Sequence, residues 1–235
     1  MRAGGEVERH AALAELTAEI VACRRCPRLV EYRERIARDK VARFRDETYW
    51  GRPVPGFGDP DARILIVGLA PAAHGGNRTG RVFTGDASGD FLFAALHRAG
   101  LANQPTSRQA EDGLALIDAY IAAAVRCAPQ ANKPLPSERD NCAPYLAREL
   151  AILDRVAVVV ALGRYAWDAA LRAIAAVSGE DPRPRAAFSH GAEARVGGYS
   201  LVGSYHPSQQ NTFTGRLTPP MLDAVLDRAR ELTND

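Results

Sequence analysis

The segment Ala62–Ala70 reads ARILIVGLA and decides the fold class. A short apolar run bounded by turn residues is typical of a strand that is buried on both faces of a sheet. The run VAVVVALG at Val156–Gly163 predicts a second buried strand, and further strands are predicted at Ile121–Arg126 and Ser200–Pro207. Helical segments separate these four strands, which indicates an α/β protein with a parallel sheet and helices on both faces.

Five helices are predicted around these strands from apolar spacing and boundary residues. They lie at Val7–Val21, from near Asp90 to Gly100, at Ser137–Ile152 with Ser137 as the N-cap, at Arg164–Val177 and at Pro219–Leu232. No element is predicted for the arginine-rich segment Arg33–Arg45 or for the polar, proline-containing excursion at Ser178–Arg185.

The bulk composition is that of an ordinary globular protein. The 235 residues suffice for one sizeable domain and no linker divides them, so residues 1–235 are predicted to form a single domain. The net charge of +2 is too weak to indicate a nucleic-acid partner by itself. No apolar run follows the charged N-terminus and no segment is apolar enough to cross a bilayer, so we expect a cytoplasmic protein without a membrane partner. No long apolar surface stripe is evident, which favours a monomer.

Unusual residues follow three of the four predicted strands. The first strand leads into GLAPAAHGG (residues 68–76), the second into RCAPQANKP (126–134) and the last into SYHPSQQN (204–211). In open parallel sheets, ligands bind beyond the carboxyl ends of the strands. These three loops are therefore predicted to share one pocket.

Each of these residues also has a purely structural interpretation. The glycines can serve turns alone, His206 can be a loop histidine satisfied by backbone, and Asp86 or Asp90 can cap the helix that follows. Phe83 can be a core residue. Their joint placement at strand ends is what favours a functional site.

Four cysteines, Cys23, Cys26, Cys127 and Cys142, form the other conspicuous pattern. In a compartment that keeps thiols reduced, such a set indicates a metal site or catalysis before disulfides. A thioredoxin-like redox pair would need a strand-to-helix turn in a βαβ unit, whereas Cys23 follows a helix. Only the first pair is close in sequence, and this spacing leaves zinc and an iron–sulfur cluster as comparable alternatives.

The motifs GLAPAAHG, GRVFTGDASG and HPS, together with the cysteine pattern, resemble those of the family 5 uracil-DNA glycosylases, the UDGb type. The resemblance runs from Cys23 to the C-terminal region. It implies a three-layer αβα sandwich around a central four-stranded parallel sheet. It also implies a structural [4Fe–4S] cluster held by Cys23, Cys26, Cys127 and Cys142, to which the N-terminal helix contributes.

The resemblance further implies a DNA-repair enzyme that flips a deaminated base out of DNA and hydrolyses its N-glycosidic bond, which leaves an abasic site. Uracil is the expected base, and hypoxanthine and xanthine are expected as further substrates because the pocket is lined by alanines. No lysine is placed in the pocket motifs as a Schiff-base nucleophile, so we expect a monofunctional enzyme. It would act on DNA at the nucleoid of a bacterial or archaeal cell. The alternative is a non-catalytic iron–sulfur protein that binds nucleic acid.

Roles in the base pocket follow from the residue types and the resemblance. Phe83 offers a face for stacking, and the Asn132 amide matches N3–H and O4 of uracil. His206 can donate to O2 as negative charge develops there. Ala72 and Ala73 cannot position water, so that role moves to Asp86. The remaining candidates for the base pocket are Gly68, Ala70 and His74.

The loop after His206 is expected to contact DNA. Ser208 can bond a phosphate, and Gln209 and Arg216 are further candidates for DNA contacts. One side chain of this loop is expected to fill the gap left by the flipped base. The candidates for this wedge are Phe213, Arg216 and Leu217. Arg24 and Arg25, beside the first cysteines, can reach phosphate or belong to a solvated face.

Overall fold

A computed structural model describes residues 2–180 and 186–234, with side chains from residue 6 onward. Its centre is one six-stranded sheet in the order β1-β3-β2-β4-β6-β5. The strands are β1 (Phe57–Gly58), β2 (Ile64–Gly68), β3 (Ala119–Ala123), β4 (Val158–Leu162), β5 (Glu193–Val196) and β6 (Tyr199–Ser204). The four inner strands are parallel, and the two edge strands are antiparallel to their neighbours.

The four predicted strands correspond to β2, β3, β4 and β6, so the parallel centre of the sheet is confirmed. The sequence did not reveal the two edge strands. β1 has only two residues, and β5 reads EARV, with one buried residue. Neither strand carries the apolar run that indicates a strand buried on both faces. The polar excursion at Ser178–Arg185 lies largely outside the described residues.

Eight α-helices and two short 3-10 turns surround the sheet within the described ranges. The helices are α1 (Arg2–Ala22), α2 (Pro27–Asp39), α3 (Gly76–Thr79), α4 (Ala87–Arg98), α5 (Pro136–Ile152), α6 (Arg164–Ser178), α7 (Gln209–Thr212) and α8 (Pro219–Leu232). Helices α4 and α8 pack on one face of the sheet, and α1, α5 and α6 pack on the other. This is the expected three-layer αβα sandwich. Among the described helices, none has an apolar stretch long enough to span a membrane.

Strand β2 supplies apolar side chains to both layers. Ile64 and Ile66 belong to the core beneath α4 and α8, whereas Leu65 and Val67 belong to the core beneath α5 and α6. Successive side chains of a strand point to opposite faces. An unbroken apolar run is therefore required where both faces are covered, as ARILIVGLA predicted.

The start of α5 differs from the prediction. Leu135, rather than Ser137, is the N-cap residue, and Pro136 occupies the first helical position. Glu138 accepts a hydrogen bond from the Leu135 backbone N–H at 2.7 Å. Proline suits this position because its fixed φ is helical and its missing N–H would have no helical partner there. Ser137 is exposed and does not cap the helix.

A buried ion pair joins the segment just after β3 to α5. The guanidinium of Arg126 makes two hydrogen bonds to the Glu149 carboxylate, one of them at 2.9 Å between Nη1 and Oε1. Both side chains are almost completely buried. Glu149 also accepts a hydrogen bond from the Gly56 N–H at 3.2 Å. Because Arg126 precedes Cys127, this pair fixes the chain where it enters the second site loop.

We expect Glu149→Gln to lower the free energy of unfolding by about 3–5 kcal/mol, because it leaves the Arg126 charge buried without a counter-charge. Urea unfolding at constant pH measures this loss. Asp223→Asn is the matched control, since it breaks the exposed Arg98–Asp223 pair and should cost less than about 1 kcal/mol. Equal effects of the two substitutions would contradict this account of the pair.

Candidate active site

Asp86 is held between the N-terminus of α4 and the loop that follows β2. Its Oδ1 accepts a hydrogen bond from the Gly89 N–H at 3.0 Å, so Asp86 is the N-cap of α4. Its Oδ2 lies against Gly75, where an added Cβ would come within 2.0 Å. Burial raises the pKa of Asp86, and the N–H groups of Gly89 and Ser88 oppose this shift. The cap therefore occupies one carboxylate oxygen, and the other faces the strand-end loop.

The Phe83 ring lies directly on the end of β2. A Cβ on Gly68 would be 2.7 Å from Cε2 and Cζ of that ring, so only glycine fits beneath it. The rings of Phe83 and His206 have their centroids 5.8 Å apart and are inclined by 34°. The structure therefore brings Gly68, Phe83 and His206 together, as the strand-end prediction requires.

Phe83 has a left-handed backbone, with φ of 50°. Such a conformation is strained for an aromatic residue and needs support from its surroundings. The buried Arg81 supplies it, because its guanidinium bonds Thr84 Oγ1 at 3.0 Å, Ser107 Oγ at 2.8 Å and the Asp112 carboxylate at 2.8 Å. No sequence motif indicates this network, since Ser107 and Asp112 lie in an irregular segment.

His206 follows β6 and lies beside the end of β4. An added Cβ on Gly163 would be 3.4 Å from the His206 Cβ, and the Asn211 side chain bonds the His206 carbonyl at 2.8 Å. Burial lowers the pKa of His206 to about 4. The imidazole is therefore neutral at physiological pH and retains one N–H donor. Asn211 therefore fixes the backbone at His206, a role that the sequence does not indicate.

His74 lies in the same loop as Gly75, but its ring is engaged elsewhere. Its Nδ1 is 3.1 Å from the Tyr49 hydroxyl. Burial lowers the pKa of His74, and the nearby Arg43 and Arg78 lower it further. A contact between His74 and a base stays a prediction, and no motif in the sequence indicates Tyr49 as its partner.

Asn132 lies on an exposed 3-10 turn (Gln130–Asn132) beyond β3. It has a left-handed φ of 56°, and its side chain makes no hydrogen bond to the described residues. Arg28 of α2 fixes the following chain, because it donates to the Lys133 carbonyl at 3.2 Å and forms a bidentate pair with Glu138. The amide is thus carried on a braced turn with its donors and acceptor free.

The structure separates the three wedge candidates in the loop after His206. Phe213 is 79% exposed, whereas Leu217 is 1% exposed and belongs to the core. The Arg216 guanidinium packs over the Tyr205 ring at 4.6 Å. Leu217 is therefore wrong as a wedge, because its side chain is already buried. Phe213 fits best, since its ring is free to enter a gap.

Ser208 and Gln209 begin the short helix α7 in that loop. Ser208 is half-buried at the N-cap, and its carbonyl accepts backbone hydrogen bonds from Asn211 and Thr212. Gln209 is exposed. Their contacts with DNA stay predictions.

Three of the four cysteines share one buried cluster. Cys26, Cys127 and Cys142 pack with Leu29 and Val125, while Ala70 and Tyr165 pack against them. Cys23 is half-buried in the neighbouring cluster that contains Tyr145. Within the described ranges, no three His, Cys, Asp or Glu side chains converge closely enough to hold a single metal ion. The four thiols thus lie in two neighbouring clusters.

Polar donors point at these sulfur atoms. Arg33 donates from Nη1 to Cys127 Sγ at 3.0 Å, and Asn141 donates to Cys26 Sγ at 3.4 Å. Arg33 is 2% exposed, its Nε has no partner among the described atoms, and its nearest carboxylate, that of Glu34, is 3.9 Å away. Burial raises the pKa of Cys127 to about 12, and the charge of Arg33 opposes the shift. A buried cation beside thiols fits a site for thiolate ligands.

Comparison with known proteins shows the family of this chain. The profile of the uracil DNA glycosylase superfamily matches residues 55–230. A type-5 uracil-DNA glycosylase from Mycobacterium bovis is 55% identical over 222 residues, which cover 94% of this chain and 81% of the relative. The type-5 enzyme of Thermus thermophilus is 53% identical over 214 residues, and these cover 91% of this chain and 94% of that protein. The chain therefore belongs to the uracil-DNA glycosylase superfamily and, within it, to the type-5 family.

A type-4 uracil-DNA glycosylase from Archaeoglobus fulgidus is more distant. It is 35% identical over 114 residues, which cover 48% of this chain and 49% of the relative. The type-5 relatives, in contrast, match 94% and 91% of this chain. The resemblance inferred from the motifs is thereby confirmed at the level of the family.

We expect Gly75→Ala to reduce uracil release, the activity for which the relatives are named, by about 100-fold, because its Cβ would displace the Asp86 carboxylate. Single-turnover assay on a uracil-containing duplex measures the effect. Gly113→Ala controls for lost stability, since Gly113 has φ of 81° in open space and the substitution costs about 1 kcal/mol. Full activity of Gly75→Ala would show that Asp86 does not depend on this contact.

Proposed function

We propose that this protein hydrolyses the N-glycosidic bond of deoxyuridine in DNA as a monofunctional repair enzyme. Family membership supports the activity. The observation that carries the mechanism is the proximity of Gly68, Phe83 and His206 at the carboxyl edge of the sheet, with Asp86 held against the same loop. These groups supply a stacking face, a neutral donor and a carboxylate.

The uracil must leave the duplex before these groups can act on it. We assign Phe83 to stacking and Asn132 to recognition, since its free amide can accept from N3–H and donate to O4. His206 would donate to O2, where negative charge grows as the bond to the sugar breaks. A neutral imidazole serves this purpose, and burial keeps His206 neutral.

Asp86 would act on the water. The water oxygen bonds to C1′ of the sugar while the C1′–N1 electron pair leaves with uracil, and Asp86 accepts the proton that the water loses. Ala72 and Ala73 cannot perform this task. We assign the proton-accepting role to Oδ2 of Asp86, which faces Gly75, because the helix cap uses Oδ1.

We propose hypoxanthine and xanthine as further substrates. The loop after β2 presents only small side chains at Ala72 and Ala73, which suits bases larger than uracil. Lys133, the lysine nearest to Asn132 in the chain, is exposed. An abasic site without strand cleavage is the expected product, because no pocket lysine would form a Schiff base.

Wild-type protein should release uracil in a single-turnover assay, and Asp86→Asn and His206→Ala should each slow release by about 100-fold or more. Since Asp86 acts as a carboxylate and its pKa is raised, kcat/KM should fall as the pH decreases through that pKa. Asp86→Asn should lack this acid limb. Absence of release by the wild type, with DNA binding retained, would favour a non-catalytic nucleic-acid-binding protein. Unchanged release by both variants would contradict the site assignment.

We also propose that Cys23, Cys26, Cys127 and Cys142 hold a [4Fe–4S] cluster. The buried thiols and the donors of Arg33 and Asn141 support this assignment, since hydrogen bonds to sulfur accompany such clusters. When bound, the cluster would stabilise the thiolates and tie the α1–α2 junction to the loop that carries Asn132. Its role here is structural, and no step of base release passes through it.

Freshly purified protein should be brown and contain about four iron atoms per chain. Arg33→Met should lose iron to a chelator about 10-fold faster than the wild type, because the thiolates lose a buried charged donor. Arg35→Met, at an exposed position of the same helix, is the matched control. Iron content and visible absorbance report the result. A colourless protein with one tightly bound zinc would contradict the cluster. If Arg33→Met lost iron at the wild-type rate, Arg33 would have no role in holding the cluster.

A further inference from the structure

A turn at Trp50–Gly51 is fixed to the loop that leads to Phe83 and Asp86. The Trp50 N–H donates to the Arg78 carbonyl at 2.9 Å, and the Gly51 N–H donates to the Asn77 carbonyl at 3.0 Å. The indole lies on Gly80, where an added Cβ would come within 3.0 Å of it. The position of this turn is therefore fixed relative to the loop between β2 and α4, which carries Phe83 and Asp86 and is called the base-site loop.

A groove of about 730 Å³ opens between this turn, the end of α1 and one face of α2. We call it the arginine groove. Its charged lining consists of four arginines and one glutamate: Arg24, Arg33, Arg38, Arg52 and Glu34. Arg24 neutralises Glu34 through a hydrogen bond of 2.5 Å. A net positive charge is left on a groove whose remaining walls are largely apolar.

Arg38 and Arg52 supply most of the free charge. Both are exposed, and neither forms an ion pair with any residue that the structure describes. The Arg52 guanidinium lies 5.7 Å from the centre of the Trp50 ring, and that ring is 37% exposed. Free guanidinium groups beside an exposed aromatic ring are typical of nucleic-acid-binding surfaces.

We propose that the arginine groove binds the DNA strand that continues from the flipped nucleotide, with Arg38 and Arg52 on its phosphates. This inference rests on the proposed function, and it assigns a DNA path that the strand-end motifs do not contain. Charge complementarity favours DNA over other occupants. The backbone bonds between the turn and residues 77–78 place the groove next to the loop of the base site.

The test is equilibrium binding of the holoprotein to an undamaged duplex, measured by fluorescence anisotropy between 50 and 200 mM salt. Two lost phosphate contacts should reduce the slope of log affinity against log salt concentration by about 1.8. Over this range, wild-type affinity should therefore fall about 12-fold more than that of Arg38→Gln/Arg52→Gln. Arg230→Gln is the matched control, because Arg230 is exposed and lies at the opposite edge with Arg63 and Asp118. It should match the wild type.

Trp50 supplies a second readout. DNA bound in the groove should quench the emission of this exposed indole, while Trp167, which is buried, keeps its emission. Trp50→Phe should abolish the quenching.

Equal salt slopes for the double variant and the wild type would overturn the proposal. DNA binding without quenching of Trp50 would also overturn it. The groove would then bind a different partner, such as a protein. Because these measurements use undamaged DNA, they are independent of base release. Failure of the glycosylase assay would therefore be distinguishable from failure of this inference.

Discussion

The site depends on the hydrogen bonding of β2 along both of its edges. Its parallel register with β3 sets Gly68 opposite Ala123, and β4 and β6 align Leu162 with Ser204. The carboxyl ends of the four inner strands therefore reach one edge of the sheet, from which three loops project. Phe83, Asn132 and His206 are far apart in sequence and are carried by those loops. Because both faces of the sheet are covered by helices, this edge is where polar side chains can gather without entering the core.

The two proposed sites share structural elements. Ala70, in the base-site loop, packs against the cluster of Cys26, Cys127 and Cys142. The Arg33 carbonyl accepts a hydrogen bond at 3.2 Å from Asn77 of α3, while the Arg33 guanidinium reaches Cys127. Movement of the segments that carry the cysteines would therefore displace the loop that leads to Asp86. This coupling explains how residues with no part in the chemistry can still support it.

Apolar runs and strand-end residues were sufficient to predict the parallel centre of the sheet and the meeting of Phe83 with His206. Burial on both faces demands a continuous apolar run, which is visible in the sequence. The edge strand β5 is largely exposed and has no such signature. Helix α2 overlaps an arginine-rich segment, and the sequence does not show that its Arg33 is buried against Cys127, 94 positions away. The network of Arg81, Ser107 and Asp112 depends on tertiary contacts alone. Local sequence patterns do not indicate such contacts. The burial of Leu217 also depends on tertiary contacts, which is why Leu217 was wrongly included among the wedge candidates.

The central claim is that a flipped uracil lies between Phe83, Asn132 and His206, with Asp86 positioned for water. A crystal structure of Asp86→Asn bound to a duplex with one uracil tests it most directly. We predict the uracil ring stacked on Phe83, its N3–H and O4 paired with the Asn132 amide, and His206 within hydrogen-bond distance of O2. A base seated in another cavity, or an Asn132 side chain turned away from a flipped base, would contradict the account.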